Sequence, residues 1–457
     1  MLPNGSADVT RVLSPTAILG YGFPVDSLRE GLRRHPHVIG VDAGSTDPGP
    51  YYLGAGKAFT DRTAVKRDLR LLIEAALSEE IPLIIGTAGG SGGEPHLRRD
   101  LDLVVEVASE LGLHFRLGVV HAELDKGRVV EALRRGEIAG LGPVPELSVA
   151  AIESSVRIVA QMGPEPLVQA LESGADVVLA GRAYDPAVFA AVPLMRGCSR
   201  GPAVHLGKIL ECGAIAATPG SGSDCLFGSL EGDSFEVEPL DPGRRCTVTS
   251  VAAHTLYEKS DPLSLPGPGG RLDLSRTSFK QVSDGKVRVT GSRFVPSDGY
   301  HVKLEGVERV GCRTVSIAGC RDPFMIAAID EIVEAVTRRV HHDLGLDGDK
   351  CSLRFNLYGR DGVMGQLEPS RSHVPLELGI VIDAVAPTQQ VADTLCSYAR
   401  STLLHCSYPG RVATGGNLAF PYSPSDLPAG EVYRFSIYHL MAVKDPCELF
   451  PIEYVEV

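Results

Sequence analysis

The first 200 residues alternate short apolar runs with segments of helical periodicity. The apolar runs predict strands at Val38–Val41, Pro82–Ile85, Phe115–Val120, Val156–Gln161 and Asp176–Ala180. Apolar positions spaced three and four residues apart predict helices at Arg62–Ser78, Leu97–Leu111, Lys126–Arg135, Pro164–Glu172, Pro186–Leu194 and Ala203–Cys212. Because apolar strands that alternate with helices are typical of parallel sheets covered on both faces, we predict a mostly parallel, doubly wound α/β sheet. A barrel is the alternative, since a sequence does not reveal strand order.

The pattern changes from about Gly213 to Glu308, where Pro/Gly turns separate short β-rich segments. We interpret this region as a β-rich extension packed on the first domain. The remaining chain predicts a strand, a helix, two strands, a helix and a strand, at Thr314–Ile317, Pro323–His341, Ser352–Leu357, Glu377–Ile382, Thr388–Leu404 and Tyr433–Leu440. This order is that of a ferredoxin-like fold. We therefore expect three domains, at 1–240, 241–308 and 309–457.

Composition narrows the class of protein. Hydrophobic residues make up 44% and charged residues 22% of the chain, which excludes intrinsic disorder. The net charge of −13 argues against nucleic acid or an anionic membrane surface as the main partner. No apolar run reaches the length of a membrane span, and we see no secretory signal. The ten cysteines are scattered and form no Cys-x-x-Cys pair, so we expect a cytoplasmic protein with free thiols.

Polar side chains follow five of the predicted strands. The clusters are Asp42 with Ser45, Thr46 and Asp47; Thr87–Gly93; His121 with Glu123 and Asp125; Gln161; and Arg182 with Tyr184 and Asp185. Open parallel sheets bind their ligands beyond the carboxyl ends of the strands. If the strands are parallel, all five clusters therefore line one edge of the sheet, where we expect the functional site.

The glycine-rich loop 86–93 follows a strand and precedes a helix. Glycines let backbone amides approach an anion, so Thr87, Gly89, Gly90 and Ser91 are candidate substrate-binding residues together with Ser45 and Thr46. The alternative is a turn that passes close to a neighbouring strand. The loop is neither a Walker A motif nor a clean dinucleotide fingerprint, and nothing in the sequence points to NAD or pyridoxal phosphate.

Asp42 and His121 are the candidate proton-transfer residues among these clusters. Asp42 can instead cap the loop that follows it. Asp42, His121 and Glu123 are also the side chains that would ligate a divalent metal, although no tight metal-binding motif is present. A surface loop with solvated charges is the alternative for His121 and Glu123.

Arg182 directly follows an apolar strand, where a guanidinium can hold a carboxylate with two hydrogen bonds. The alternative is an ion pair with Asp185 or Asp47. Tyr184 adds a hydroxyl to this group, and Asp185 adds an acceptor.

The predicted helix Ala203–Cys212 carries His205 and Lys208, three residues apart and therefore on one face, followed by Glu211 and Cys212. We list His205 and Lys208 as substrate-binding candidates. Cys212 is either a nucleophile or a small core residue. The β-rich region adds His254, Tyr257 and Glu258, of which Glu258 is a candidate catalytic residue.

The stretch from Gly174, GADVVLAGRAYDPAVFAAVPL, and HLGKILECGA from His205 resemble the acyclic terpene utilisation AtuA-like family. That family's pattern is GADVVITGR-x-x-D followed by GHLLECGAQ-x-TGG. Leu256-Tyr257-Glu258 with Asp261-Pro262 resembles its LYE-x-x-DP, and Thr87-Ala88-Gly89-Gly90 its NAGG turn. The chain departs from the pattern at Ile215–Gly220, at Thr87 in place of Asn, and in the segment after Asp42. The resemblance implies carboxylate or acyl-CoA breakdown, and the departures favour a different substrate.

We therefore expect a lyase, hydratase or isomerase acting on a small, branched or unsaturated carboxylate or its CoA thioester. The glycine-rich loop and Arg182 would hold the anion, Asp42 or His121 would move a proton, and Tyr184 or Glu258 would assist. The alternatives are a metal-assisted thioester or lactone hydrolase and a non-catalytic subunit of an acyl-CoA enzyme complex. We expect a homo-oligomer whose partner is a small anionic substrate.

Overall fold

A computed structural model describes residues 9–257, 259–345, 350–370, 372–412 and 415–457. The chain forms two compact units, one of residues 1–308 with 435–457 and one of residues 309–434. The predicted division at 240 and 308 stays a prediction. None of the helices in the described ranges is both long and apolar enough to cross a membrane.

The first unit holds most of the secondary structure. Its strands are β1 (Thr10–Ser14), β2 (Val38–Asp42), β3 (Leu83–Gly86), β4 (Arg116–Val120), β5 (Ile138–Gly140), β6 (Ser155–Gln161), β7 (Val177–Ala180), β8 (Leu226–Glu231), β9 (Ser234–Pro239), β10 (Ser264–Gly267), β11 (Gly270–Asp273), β12 (Ser278–Ser283), β13 (Lys286–Thr290) and β14 (Arg293–Pro296). Its helices are α1 (Val25–Arg33), α2 (Pro50–Ala55), α3 (Arg62–Ser78), α4 (Glu94–Leu111), α5 (Lys126–Arg134), α6 (Val149–Ser154), α7 (Glu165–Glu172), α8 (Asp185–Met195), α9 (Arg200–Leu210) and α10 (Val248–Leu256). Strand β15 (Tyr300–Cys320) begins in this unit and continues into the second.

Ten strands form one mixed sheet, in the order β12-β13-β9-β8-β1-β2-β3-β7-β4 and finally β19 (Ile452–Glu456). The five strands β1, β2, β3, β7 and β4 pair in parallel, and the strands outside them pair antiparallel. The sheet is therefore mixed rather than mostly parallel. The two-residue turn at Gly232 folds β9 directly back on β8, so this part of the β-rich region extends the sheet.

One predicted strand pairs elsewhere. Strand β6 lies outside the ten-stranded sheet and pairs antiparallel with β15, with Gln161 opposite Lys303. The side chains of Ile158, Val159 and Ala160 are buried, as those of a central strand in the ten-stranded sheet would be. An apolar run in the sequence therefore predicts that a strand is buried, but it does not predict which of the two sheets the strand joins.

The parallel strands separate two apolar cores. Ile84 and Val178 pack in one core with Phe189 of α8, whereas Ile85 and Leu179 pack in the other core, which also holds the apolar faces of α3 and α4. Successive strand residues point to opposite faces, so these strands must be apolar at every position. This explains the uninterrupted apolar runs seen in the sequence.

The second unit begins with the later part of β15 and holds α11 (Pro323–Ala327), α12 (Ile329–Leu344), β16 (Ser352–Tyr358), β17 (Leu378–Ala386), α13 (Gln389–His405) and the first part of β18 (Asp426–Val443). Strand β17 pairs antiparallel with both β15 and β16. The strand order is β16-β17-β15-β18. Helices α12 and α13 bury one face against this sheet. The order of strands and helices along the chain is the one that the sequence predicts.

Candidate functional site

The carboxyl edge of the parallel strands collects a group of buried charges. Strands β2 and β7 both pair in parallel with β3, so Asp42 and Arg182 emerge at the same edge. Asp185 begins α8 directly after β7, and Lys208 and Glu211 stand at the end of α9. We call Asp42, Arg182, Asp185, Lys208 and Glu211 the charged cluster.

Arg182 is buried and fully engaged by the protein. Its Nε donates to Oε2 of Glu305 at 2.7 Å, and its Nη1 donates to the carbonyl oxygen of Ala183 at 2.7 Å and to Oδ1 of Asp185 at 3.2 Å. The ion pair with Asp185 is the alternative that the sequence allows. The anion clamp stays a prediction, and it would have to compete with these partners.

Glu305 is the anchor for that arginine. Its carboxylate also accepts from Nζ of Lys303 at 2.6 Å and from Oγ1 of Thr46 at 2.9 Å. Burial opposes ionisation of Glu305, but the charges of Arg182 and Lys303 outweigh it and lower its pKa to about 2. Thr46, a predicted substrate-binding residue, is thus bonded to this carboxylate.

Glu211 has the opposite environment. It is 6% exposed, and its Oε1 accepts from Nζ of Lys208 at 2.5 Å, whereas its Oε2 has no partner among the described residues. Burial raises the pKa of Glu211 to about 7, because the opposing charge of Lys208 is partly cancelled by that of Asp185.

Asp42 shares this environment. Its Oδ1 accepts from the amide of Ala43 at 2.9 Å. Burial, followed by the nearby charges of Asp185 and Glu211, raises the pKa of Asp42 well above its ordinary value. The charge of Arg182, which is paired with Glu305, offsets this rise only in part.

Three further side chains surround the charged cluster. Burial raises the pKa of Tyr184 above its ordinary value, so its hydroxyl stays protonated. Burial and the charge of Glu211 raise the pKa of Cys212 to about 12, so it is a thiol and a poor nucleophile. Tyr257 is 65% exposed. Glu258 lies outside the described residues.

His205 lies on the buried side of α9. Its Nδ1 is 2.6 Å from Oγ of Ser292, and its Nε2 is 3.2 Å from Oγ1 of Thr255. Burial lowers the pKa of His205 to about 3, so the ring is neutral. Both ring nitrogens have protein partners, which favours a packing role over the predicted substrate contact.

The backbone amides of the glycine-rich loop donate hydrogen bonds to other groups of the protein. Gly89 donates to Oδ2 of Asp100 at 2.6 Å, Gly90 to the carbonyl oxygen of Thr87 at 2.9 Å, and Gly92 to that of Ala88 at 3.0 Å. Buried Ser91 likewise donates its amide to Ala88.

Close approach explains at least one of these glycines. A Cβ on Gly92 would lie 2.2 Å from the amide nitrogen of Arg182, at a φ of +68°. The hydroxyl of Thr87 bonds both the amide and the carbonyl oxygen of Ala183, at 3.2 and 3.3 Å. The loop thus packs on the residues after β7, and the anion cradle stays a prediction.

His121 and Glu123 lie in a different neighbourhood, at the start of α4. Nδ1 of His121 is 2.6 Å from Oε1 of Glu94 and its Nε2 is 3.7 Å from Oε2 of Glu453, while Glu123 accepts from the amide of Glu94 at 2.7 Å. Over the described ranges, no group of three or more His, Cys, Asp or Glu residues could hold a metal ion. Asp42, His121 and Glu123 are therefore not assembled into a metal site.

The remaining strand-end residues have local roles. Oγ of Ser45 accepts from the amide of Asp47 at 3.2 Å, and Asp125 caps α5 by accepting from the amides of Gly127 and Arg128. Gln161 belongs to β6 and thus to the other sheet. Of the five predicted clusters, those at β2 and β7 therefore join the charged cluster.

The chain belongs to the acyclic terpene utilisation family. Residues 60–224 and 231–427 match the sequence model of the "Acyclic terpene utilisation family protein AtuA". Neither a curated protein nor a solved structure matches the chain. The AtuA resemblance is densest between residues 174 and 214, and this stretch supplies Arg182, Asp185, Lys208 and Glu211 of the charged cluster.

The AtuA pattern also clarifies Thr87. This residue adopts the left-handed conformation, with φ +48° and ψ +58°, which asparagine tolerates and a β-branched residue does not. The family's NAGG turn carries Asn at this position. The threonine is held there by its hydrogen bonds to Ala183, and this strained position lies next to the charged cluster.

Proposed function

We propose that the charged cluster is the active site of a lyase, hydratase or isomerase that acts on a small carboxylate or its CoA thioester. The observation that carries this proposal is the pair of buried carboxyl groups, Asp42 and Glu211, whose pKa values are both raised. Carboxyl groups with raised pKa values at one site are a hallmark of acid–base catalysis.

The two carboxyl groups would divide the proton transfer. Glu211, with a pKa of about 7, is present in both forms at neutral pH and can take up and return a proton. Asp42, whose pKa is raised well above its ordinary value, is the candidate proton donor. Abstraction of a proton next to a carbonyl by Glu211, with donation by Asp42 to the leaving or accepting atom, accounts for elimination, hydration or isomerisation alike.

Lys208 supports an anionic substrate. Its ammonium is buried and bonded to Glu211, so its positive charge lies beside the proposed base, where it favours a substrate carboxylate or a developing enolate. Tyr184 remains a hydroxyl donor at the edge of the cluster. The family's name points to branched, unsaturated substrates of the kind found among acyclic terpenes, and the departures of this chain from the family pattern favour a different member of that chemical class.

The test is hydrogen exchange in D₂O with butyryl-CoA, crotonyl-CoA and isobutyryl-CoA and their free acids. We expect the wild type to introduce deuterium into at least one of them, detected by mass spectrometry. Glu211→Gln and Asp42→Asn should each lower that rate by about 10²–10⁴-fold, the usual contribution of a general acid or base.

Asp68→Asn is the matched control. Asp68 is fully buried in the same unit, accepts from the amides of Gly20 and Gly22, and is not a member of the charged cluster. Thermal melting should first show that each variant is folded. A wild type inert toward the whole panel, or an Asp68→Asn variant that loses as much rate as Glu211→Gln, would contradict the proposal.

We also propose finer assignments of the fold. The strand order β16-β17-β15-β18 with two helices on one face supports a ferredoxin-like fold for the second unit. The parallel strands between helices on both faces support a doubly wound arrangement for the first.

A further inference from the structure

Two buried polar atoms between α9 and α10 lack a hydrogen-bond partner among the described residues. They are Oε2 of Glu211 and Nε2 of His254. The two residues are 6% and 5% exposed. An unsatisfied buried polar atom costs about 1–3 kcal/mol, so two at one place are expected to have a function.

The packing of the two helices brings both residues near Lys208. Nε2 of His205 is 3.2 Å from Oγ1 of Thr255, which fixes α10 against α9. Lys208 follows His205 by one helical turn, and His254 precedes Thr255. Lys208 bonds Glu211, and its charge adds to burial in lowering the pKa of His254 to about 4.

We propose that Nε2 of His254 donates a hydrogen bond to the carbonyl oxygen of the substrate while Oε2 of Glu211 takes the proton from the adjacent carbon. This inference rests on the proposed function and specifies its substrate class. The substrate is a carbonyl compound, a thioester or a ketone, that carries hydrogen on the carbon next to the carbonyl.

The step is balanced without an external oxidant or reductant. The C–H bond breaks, its proton forms an O–H bond on Glu211, and its electron pair moves through the new carbon–carbon double bond to the carbonyl oxygen. The resulting enolate oxygen accepts the hydrogen bond from His254. A neutral imidazole is suited to this role because it donates a hydrogen bond to the enolate oxygen and, as a weak acid, keeps its own proton.

Two neighbours of these residues reach toward solvent. The rings of His254 and Tyr257 lie 5.6 Å apart, and Tyr257 is 65% exposed. Cys212, next to Glu211, is half-buried. The buried pair therefore lies close to the protein surface at Tyr257.

His254→Phe and His254→Gln test the inference with the thioester that the wild type exchanges fastest. The phenyl ring fills the space and removes the donor, whereas the amide of Gln retains one. We expect His254→Phe to lose about 10²–10³-fold in exchange rate, as on removal of an oxyanion donor, and His254→Gln to recover at least tenfold of that loss. Exchange by folded His254→Phe at the wild-type rate would overturn the inference.

A spectroscopic measurement covers the case in which His254→Phe does not fold. The Glu211→Gln protein, which is expected to turn the thioester over only slowly, is labelled with ¹⁵N-histidine. Its spectrum is compared with that of the double variant Glu211→Gln, His254→Gln, and the resonance that disappears in the double variant belongs to His254. Adding the same thioester should shift it, and an unchanged resonance at saturating thioester overturns the inference.

The two proposals fail differently. If Glu211→Gln abolishes exchange but His254→Phe does not affect it, the role of His254 is lost and the proposed function stands. If the wild type exchanges none of the panel, both are lost.

Discussion

Two buried glutamates in the first unit show how differently one residue type can be used. Glu305 and Glu211 both bond a lysine, at 2.6 and 2.5 Å respectively. Yet the pKa of Glu305 falls to about 2, and that of Glu211 rises to about 7. Glu305 has two bonded cations and a hydroxyl around it, whereas Glu211 has one bonded cation, the charge of Asp185 nearby and an oxygen without a partner among the described residues.

Burial alone therefore does not decide the state of a carboxyl group. The number of donors decides whether the charge is stabilised or remains ready to accept a proton. The surroundings of Glu305 are those of a structural anchor, and the surroundings of Glu211 are those of a reactive group. The same substitution made at each glutamate therefore tests whether the two carboxyl groups differ in this way.

The largest effect is expected from Glu305→Gln. The substitution removes the carboxylate that Arg182 and Lys303 share, so that buried Arg182 keeps only its longer ion pair with Asp185 at 3.2 Å. Loss of one partner of a buried ion pair costs about 3–5 kcal/mol. Glu211→Gln should not lower the free energy of unfolding at pH 7, because the raised pKa means that ionised Glu211 already costs the wild type stability there. Urea denaturation of both variants measures the difference, and equal losses would refute the comparison.

The pH dependence of stability should have opposite signs at the two sites. Glu305, with its pKa lowered from 4.5 to about 2, contributes stability above pH 4.5 that is lost as the pH falls through 2. Glu211, with its pKa raised from 4.5 to about 7, contributes stability below pH 4.5 that is lost as the pH rises through 7. Each contribution is on the order of 3 kcal/mol.

Glu211→Gln isolates the second of these contributions. Relative to the wild type, the variant should gain stability as the pH rises from 5 to 8, measured by urea denaturation at each pH. A constant difference between the two proteins over that range would show that the pKa of Glu211 is not raised.

The smallest difference between two variants is expected where the glycine-rich loop packs against the backbone of Arg182. Gly92→Ala places a Cβ against the amide of Arg182, and we expect a loss of about 2–3 kcal/mol from overpacking and left-handed strain. Gly112→Ala is the matched control, because Gly112 has a φ of +63° with open space around it. Its cost should be about 1 kcal/mol. Equal losses on thermal or urea unfolding would mean that the loop does not fix Arg182.

Local patterns predicted much of the fold and part of the site. Asp42 and Arg182 could be found because they end or follow apolar strands, and Lys208 because it shares a helix face with His205. Glu211 follows on the same predicted helix but is not among the predicted site residues. Glu305 could not be found in this way. It stands 123 residues from Arg182 on a strand whose pairing is long-range, and nothing local marks it as a partner.

The same limit explains the other differences. His121 is an ionisable residue at a strand end, as expected of a site residue. However, β4 lies beyond β7 in the sheet, and His121 pairs with Glu94 of α4 instead. The glycine-rich loop has the composition of an anion cradle, and its internal amide bonds depend on Asp100 of the following helix. Strand order and helix contacts, which sequence periodicity does not encode, decide these outcomes.

Strand β19 has a consequence for synthesis on the ribosome. It pairs along its whole length with β4, and Phe115 and Val457 exchange backbone hydrogen bonds at 3.2 and 3.0 Å. All of residues 309–434 are translated between the body of the first unit and this strand. The nascent first unit therefore waits with the edge of β4 unpaired while the second unit emerges, a period in which chaperone binding or premature association would act on that edge.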